Sequence, residues 1–346
     1  MSRRTVWLIL AVLLLAALGF WRQWWGRHPD ALTLRGETMG TTYSVRVADR
    51  SAISAERLQA LLDVRLRQIN ASMSTWDPHS EITRINAAPI DTPLQLSADL
   101  RTVLGAALVL SRATDGAFDP TVGPLVNLWG FGPNHATADP LPGAVAEVKR
   151  RIGYRHAELE GDVLTKTRQG LQLDLSAIAK GFAVDALAQV LEANRITDYV
   201  VEIGGDLVVR GHNAQGQPWA IGIERPDEDA PPGDALQAVV RLTSGALATS
   251  GTYRHFRHTK AGLRHHIIDP RTGYPTNPTL AEVSVYAPNC MTADGIATAL
   301  MVLGVREGLA WVEARPGIEA LFVEEGADGK LQRHMSSGFP HLQSVP

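Results

Sequence analysis

Cysteine is almost missing from this chain of 346 residues, which contains Cys290 and no other. A single thiol excludes an intrachain disulfide, a cysteine-rich zinc site and an iron–sulfur cluster held by this chain alone. Any bound metal must therefore rely on oxygen or imidazole ligands. An excess of charge is lacking too, since 33 basic and 36 acidic side chains give a net charge of −3. We predict no nucleic-acid partner, because such binding needs a strongly basic surface.

Two common nucleotide-binding patterns are also absent, since neither GxGxxG nor GxxxxGK[ST] occurs. Their absence argues against Rossmann and P-loop sites. The GxSxG elbow of serine hydrolases is lacking as well. What remains is an ordinary globular composition, 45% apolar and 20% charged, with enough chain to bury a sizeable core.

The chain has one long uncharged apolar run, from Val6 to Trp21. As a helix it would reach about 24 Å, a little short of the roughly 30 Å hydrocarbon core of a bilayer. Arg3 and Arg4 precede the run, and indoles and arginines follow it. Such side chains extend a span into the membrane interface. The run ends in Gly19, Phe20 and Trp21, a poor signal-peptidase site.

We therefore predict that residues 1–27 form an uncleaved single-pass transmembrane helix, with a cleaved signal peptide as the alternative. A lipid anchor is excluded because no cysteine lies near the run. If Arg3 and Arg4 stay on the inner side, the remainder of the chain is exported. In a bacterium, residues 28–346 would then form a catalytic domain at the periplasmic face of the inner membrane.

Secondary structure is predicted to be mixed. Alternating or clustered β-branched residues predict strands at 42–47, 170–175, 199–209, 219–223, 238–242 and 283–287. Apolar spacings of three and four predict helices at 55–70, 98–114, 144–152, 178–194, 292–302 and 307–314. These elements neither alternate regularly nor segregate, which favours the α+β class over a doubly wound sheet.

The segment 171–188, LQLDLSAIAKGFAVDALA, reads as a strand that turns into a helix. Ser176 is a candidate N-cap, and the free N–H groups of the first turn suit an anion such as a phosphate. Lys180, one turn into the helix, would add positive charge. Asp174 at the strand end would accept from a ribose hydroxyl or a ring N–H. A capped amphipathic helix with a solvated lysine is the structural alternative.

A second helical segment, NCMTADGIATALMVL at 289–303, places Asp294 and Thr298 four residues apart on one face. A carboxylate and a hydroxyl are hard oxygen ligands of the kind that magnesium accepts. The alternative is that Asp294 serves the helix dipole in the first turn.

Between these helices lies RHHIIDPRTGYP at 264–275, a strand that enters a turn. A histidine at this place suits general-base work near neutral pH, and alternation directs only one of His265 and His266 inward. Small-residue patches at 39–42, 204–206 and 248–253 allow backbone to approach a ligand closely, or form tight turns.

Taken together and in order, these segments resemble the ApbE family of FAD:protein FMN transferases. The blocks that carry the resemblance cover nearly the whole body of the chain. They are MGTTYSV from Met39, MSTWDPHSEITRIN from Met73, GAFDPTVGPLVNLWGFG from Gly116, LDLSAIAKGFAVD from Leu173, VEIGGDLVVRG from Val201, ATSGTYRHF from Ala248, HIIDPRTGYP from His266 and TADGIATALMVLG from Thr292.

The resemblance implies a two-lobed, T-fold-like α+β domain with a mixed sheet and FAD in a cleft. It implies an exported enzyme that splits FAD, attaches FMN to a threonine or serine hydroxyl of a target protein and releases AMP. The implied acceptor is a flavoprotein subunit of a membrane redox complex. The implied FAD contacts are Met39, Trp76, Ala117, Phe118, Asp119, Asp174, Lys180 and Ile268.

The resemblance further implies a Mg²⁺ ion held by the backbone carbonyl of Ala177 and the side chains of Asp294 and Thr298, with Ala297 adjoining. His266 would be the general base, and Lys180 would add positive potential at the diphosphate. Two alternatives stay open: an FAD pyrophosphatase that yields free FMN and AMP, and a non-catalytic flavin carrier.

Overall fold

The computed structural model of the protein describes residues 32–48, 53–133, 139–227, 230–231, 234–253, 256–259, 262–326 and 328–345. The predicted anchor at residues 1–27 lies outside them. The strands are β1 (Leu32–Thr38), β2 (Thr41–Val47), β3 (Leu94–Gln95), β4 (Ala157–Glu160), β5 (Val163–Lys166), β6 (Tyr199–Ile203), β7 (Asp206–Arg210), β8 (Trp219–Glu224), β9 (Leu236–Leu242), β10 (Ser244–Gly251), β11 (Phe256–Thr259), β12 (Gly262–His265), β13 (Ile268–Asp269), β14 (Tyr274–Pro275), β15 (Leu280–Ala287), β16 (Glu319–Glu325) and β17 (Leu331–Met335).

The described residues form seven helices. They are α1 (Ala55–Met73), α2 (Glu81–Ala87), α3 (Ala98–Ala113), α4 (Gly123–Leu128), α5 (Pro142–Lys149), α6 (Ser176–Ala193) and α7 (Cys290–Glu313), with one 3₁₀ turn at Tyr154–His156. Five of the seven described helices follow predicted segments, whereas the short helices α2 and α4 were not predicted. Serine side chains cap the first three, with Ser54, Ser80 and Ser97 each accepting from an N–H of the first turn. The two helices predicted near the C-terminus are one element, broken at Gly304, whose φ is 76°.

An eight-stranded sheet in the order β1-β2-β6-β7-β10-β15-β16-β17 forms the centre of the molecule. Each neighbouring pair in it is antiparallel. The α+β class is therefore confirmed, whereas the sheet is antiparallel rather than mixed. Among the described residues, parallel pairing is restricted to the isolated bridge between Val122 and Gln172.

The two faces of this sheet pack against different layers. In β10, Ala246 and Ala248 point towards the helices, whereas Leu247 points to the β8–β9 ribbon and packs with Trp219 and Ile221. This alternation is the period of two expected for a strand buried on both faces. The sheet is thus a central layer between the helices and the ribbon.

Helix α7 is the one described helix that is long and apolar enough to cross a membrane. Length and composition of this kind also occur in core helices of globular proteins. Here α7 packs on β10, β15 and α6, so it belongs to the core of this domain.

Two strand predictions are wrong. The predicted strand 170–175 is irregular, because the Asn86 side chain bonds both the N–H and the C=O of Leu173 at 2.7 and 2.9 Å and the Asp174 N–H donates to Pro120. The predicted strand 199–209 is a hairpin, β6 and β7, because Gly204 and Gly205 have φ of 56° and 93° and form its turn.

Candidate active site

Helices α6 and α7 cross at Gly181 and Asp294. The Gly181 N–H donates to Asp294 Oδ2 at 2.8 Å. A Cβ at position 181 would overlap the Cys290 carbonyl and lie 2.8 Å from the Asp294 Cβ, so only glycine lets the helices approach this closely. The glycine thus brings α6 and its Lys180 to the buried carboxylate, which is 4% exposed.

Lys180 does not extend into solvent as the structural alternative required. Its ammonium forms an ion pair with Oδ2 of Asp206, a carboxylate that is 1% exposed. Asp206 begins β7 directly after the Gly204–Gly205 turn. The sequence had indicated this patch only for its glycines, and the structure shows that their turn positions a buried carboxylate that pairs with Lys180.

Strand β10 contacts both sides of this cluster through consecutive residues. The Thr249 N–H donates to Asp206 Oδ1 at 3.1 Å, and the Ser250 hydroxyl lies 3.2 Å from that of Thr298. The Thr249 N–H lies in the plane of the sheet and donates to Asp206 of the neighbouring β7, whereas the Ser250 side chain leaves that plane towards Thr298 of α7. Strand β10, which lies inside the sheet, therefore contacts both Asp206 and Thr298.

The pKa values of Asp294 and Lys180 are strongly shifted. Burial, with the nearby negative charge of Asp206, raises the pKa of Asp294 from its usual 3.8 to about 7. Burial by itself would lower the pKa of Lys180, but Asp206 and Asp294 outweigh it, so that pKa is raised and the side chain remains charged. The cluster therefore contains the Lys180 ammonium, which pairs with Asp206, and a second carboxylate, Asp294, whose charge also acts on it.

The residues predicted to hold magnesium come together at the helix crossing. The Gly181 N–H, which donates to Asp294, is the regular i→i−4 helical partner of the Ala177 carbonyl. The Asp294 carboxylate and the Ala177 carbonyl oxygen consequently compete for the Gly181 N–H, so the two oxygen atoms lie close together. Thr298 is one turn further along α7, and the buried Ala297 adjoins it.

This donor set fits a hard cation, because a carboxylate, a hydroxyl and a carbonyl are all oxygen ligands. The described residues contain no group of three or more His, Cys, Asp and Glu side chains suited to a metal ion. A metal site in this part of the chain would therefore need backbone or hydroxyl oxygens, which the predicted set of Ala177, Asp294 and Thr298 would supply.

The Ser176 capping prediction is wrong. Helix α6 starts at Ser176 and has Leu175 as its N-cap, without a side-chain cap bond. Asp174 performs this work instead, since its Oδ1 accepts from the Ser176 N–H at 2.9 Å. Its carboxylate thereby stabilises the turn that leads to Lys180.

The stretch Ala117–Asp119 lies beside Asp174, which donates from its N–H to the Pro120 carbonyl at 2.7 Å. Ala117 and Phe118 are buried. The Asp119 carboxylate accepts from the N–H and hydroxyl of Thr121 and from the Tyr154 N–H. Burial raises its pKa despite these bonds. Through these contacts the Asp119 carboxylate stabilises the conformation of its loop.

Met39 and Trp76 lie on two neighbouring turns. Met39 and Gly40, with φ of 50° and 74°, form the two-residue turn between β1 and β2. Thr38, just before this turn, accepts from Asn70 in the last turn of α1, and Trp76 follows that helix with 66% of its surface exposed. An exposed indole is available to stack on a planar ring.

The two adjacent histidines have different environments. His265 is 1% exposed and donates from Nε2 to the Thr276 carbonyl at 3.1 Å, and burial lowers its pKa. His266 is half-buried, with its ring edge-on to Phe131 at 6.4 Å between centroids. The prediction that only one histidine points inward is confirmed, and the inward one is His265.

The turn after His266 is held by a separate small core. Ile268 packs there with Leu125 and Trp129, and the Trp129 indole N–H donates to the Gly273 carbonyl at 2.8 Å. The turn and Ile268 are thus positioned by α4 and the residues that follow it.

Sequence reasoning missed two residues that shape the site. Asp185 of α6 accepts from the N–H groups of Cys290 and Met291 at 2.9 and 2.8 Å and so caps α7. Asn86 holds the segment before Asp174. Both contacts join distant parts of the chain, and no local pattern signals them. Asp206 had a local signal, as the carboxylate directly after a glycine pair.

Comparison with known proteins gives a consistent result. The chain is 41% identical over 317 residues to the FAD:protein FMN transferase of Vibrio cholerae, covering 90% of this chain and 93% of that one. It is 41% identical over 295 residues to the FAD:protein FMN transferase of Haemophilus influenzae, covering 83% and 85%.

Solved structures agree in fold. The flavin transferase ApbE from Vibrio cholerae superposes with a TM-score of 0.82 at 40% identity, covering 90% of this chain and 98% of that one. The ApbE protein of Thermotoga maritima gives a TM-score of 0.78 at 30% identity, with coverage of 89% and 98%. The sequence model of the ApbE family matches residues 39–322. This chain belongs to the ApbE family.

Proposed function

We propose that this protein transfers FMN from FAD to a threonine or serine hydroxyl of an acceptor protein and releases AMP. The observation that carries the proposal is the convergence of Lys180, Asp206, Asp294 and Thr298 where α6, α7 and β10 meet. Its relatives in Vibrio cholerae and Haemophilus influenzae carry the name FAD:protein FMN transferase.

Magnesium is the metal that we propose for this cluster, held by the Ala177 carbonyl, Asp294 and Thr298, with Ala297 adjoining. When bound, the ion would polarise the phosphoryl oxygens of the FAD diphosphate. The support for this assignment is the all-oxygen donor set and the high burial of Asp294.

The transfer is a displacement at the FMN-side phosphorus. The acceptor hydroxyl forms the new P–O bond, the bond to the bridging oxygen breaks, and AMP leaves with that oxygen. We assign the hydroxyl proton to His266, whose ring is half-buried and packs edge-on to Phe131. The Lys180 charge favours the diphosphate electrostatically, although its ion pair with Asp206 reduces that effect.

The flavin contacts are proposed at the other residues of the cleft. Trp76 offers an exposed ring face, and Met39, Asp174 and Ile268 lie on turns around the cluster. Ala117, Phe118 and Asp119 are buried in the loop beside Asp174, and we propose that this loop contacts FAD. These residues bind and orient FAD so that its diphosphate reaches Asp294.

The acceptor that we propose is a flavoprotein subunit of a membrane redox complex. Residues 1–27 are proposed as a single-pass helix in the inner membrane, with residues 28–346 as a catalytic domain in the periplasm. Fractionation of cells that express the full chain tests this assignment. Recovery of the full-length protein in the soluble periplasmic fraction would contradict it.

The function itself is tested by incubating the purified protein with FAD, Mg²⁺ and such an acceptor polypeptide. A fluorescent acceptor band on a denaturing gel together with AMP release supports transfer. Free FMN and AMP without a labelled acceptor would mean an FAD pyrophosphatase. Retention of FAD with no AMP release would mean a flavin carrier.

A further inference from the structure

We propose that Asp206 is a positioning residue: it holds the Lys180 ammonium on the sheet side of the site and so leaves the Asp294 carboxylate free to bind a divalent cation. This inference rests on the proposed magnesium site and deepens it. In this inference, Asp206 determines which carboxylate pairs with the Lys180 ammonium.

Asp206 is built as a fixed acceptor. It is 1% exposed and lies at the start of β7, directly after a two-residue turn. Oδ1 accepts from the Thr249 N–H at 3.1 Å and Oδ2 accepts from Lys180. A carboxylate attached to two neighbouring strands cannot follow the lysine, so the lysine must come to it.

Lys180 has a second carboxylate within its electrostatic range. The residue after it, Gly181, donates its N–H to Asp294, and the charges of both Asp206 and Asp294 act on the ammonium. The Lys180 side chain is 30% exposed, and a partly buried ammonium is stabilised by an anionic partner because an unpaired charge in such a place is costly. Without an ionised Asp206, Asp294 is the carboxylate whose charge still acts on the ammonium.

The carboxylate that pairs with Lys180 determines how much negative charge Asp294 offers to a cation. The Lys180–Asp206 pair is neutral, and Asp294 then offers its negative charge to a cation. If Lys180 turned to Asp294, that pair would be neutral, and a divalent cation would have to displace an ammonium. Since opposite charges at contact distance attract strongly in a partly buried site, we expect about a tenfold or greater loss of cation affinity.

The test measures Mn²⁺ binding to the purified full-length protein by electron paramagnetic resonance of the free ion, without FAD. Asp206→Asn should raise the Mn²⁺ dissociation constant about tenfold or more. In the double variant Lys180→Met/Asp206→Asn, the affinity should return towards that of the wild type, because the competing ammonium is gone. A purely structural role of Asp206 would leave the double variant as weak as the single one, which would overturn the proposal.

A second variant keeps the proposal testable if Asp206→Asn fails to fold. Lys180→Met alone should bind Mn²⁺ at least as tightly as the wild type, and weaker binding would overturn the proposal. The matched control is Asp99→Asn, which breaks the ion pair between Arg65 and Asp99 on α1 and α3 and should leave Mn²⁺ affinity unchanged.

The proposed magnesium site is tested separately in the same series. If the wild type and Asp294→Ala bind Mn²⁺ equally, the cation site is wrong, and the inference fails with it. If Asp294→Ala loses Mn²⁺ but Asp206→Asn keeps the wild-type affinity, the site stands, and only the role of Asp206 is overturned.

Discussion

Gly181 and Asp294 meet through a 2.8 Å hydrogen bond from the glycine N–H to the carboxylate. The bond exists because position 181 carries no side chain, so that α6 and α7 cross with almost no space between their backbones. This contact places the buried Asp294 carboxylate beside the Ala177 carbonyl in the first turn of α6. The geometry of the proposed cation site therefore depends on the absence of a side chain at position 181.

Gly181→Ala should destabilise the protein and inactivate it. The added Cβ would overlap the Cys290 carbonyl, and overpacking of this kind costs about 1–3 kcal/mol. Urea unfolding and the transfer assay measure the two effects. Gly143→Ala in α5 is the control, because no atom lies within 4 Å of the place that its new methyl group would occupy; its stability should be unchanged or slightly higher. Equal behaviour of both variants would contradict the close-crossing explanation.

Asp294→Ala should abolish FMN transfer while weakening FAD binding only in part. The variant removes one oxygen ligand and the negative charge from the proposed cation site, whereas the proposed flavin contacts at Trp76 and Met39 remain. Covalent flavin fluorescence on the acceptor and quenching of free FAD fluorescence measure the two effects. Full activity of the variant at saturating Mg²⁺ would refute the metal assignment.

The stability of the cation-free protein should depend on pH through Asp294. Because folding raises its pKa from 3.8 to about 7, the folded state binds this proton more tightly than the unfolded chain. The stabilisation is complete below about pH 4 and is lost as pH rises through about 7. In EDTA, wild type relative to Asp294→Asn should therefore be less stable at pH 8 than at pH 5. Parallel pH profiles of the two proteins would show that the raised pKa is incorrect.

Trp76→Ala should weaken FAD binding about fivefold and leave thermal stability unchanged. The exposed indole contributes little to the core, whereas stacking on a planar ring is worth about 1 kcal/mol. Trp76→Phe should recover part of the affinity. Leu141→Ala, which removes another exposed apolar side chain, is the control and should change neither property. An unchanged FAD affinity in Trp76→Ala would exclude the stacking role.

His265 and His266 should separate into a structural and a catalytic residue. His266→Ala should reduce transfer about a hundredfold or more with a change in unfolding free energy below about 1 kcal/mol. His265→Ala should lower stability by about 2 kcal/mol or more, since it empties a buried site and leaves the Thr276 carbonyl without this donor. The reverse pattern would transfer the general-base role to His265.

Local periodicity was sufficient for the longer helices and for one pair of candidate site residues, but it missed the short helices α2 and α4. Asp294 and Thr298 are four residues apart in an apolar helical pattern, so the sequence by itself placed them on one face. The capping assignment at Ser176 was wrong because the helix already includes Ser176, and the N–H groups of Ile178 and Ala179 donate to the Leu175 carbonyl. Where a helix begins, and which acceptor its first N–H groups find, depends on the path of the backbone.

What the sequence by itself determined was the α+β class, the positions of the longer helices and the placing of Asp294 and Thr298 on one helix face, because each follows from spacing within one segment. Only the tertiary structure decided that Lys180 pairs with Asp206, that His265 rather than His266 is buried, and that Asn86 keeps 170–175 from forming a strand. These outcomes depend on contacts between distant segments, and they follow from the antiparallel strand order and the helix crossing. The energy of a buried charge is set by which partner the fold brings to it, and no local pattern contains that information.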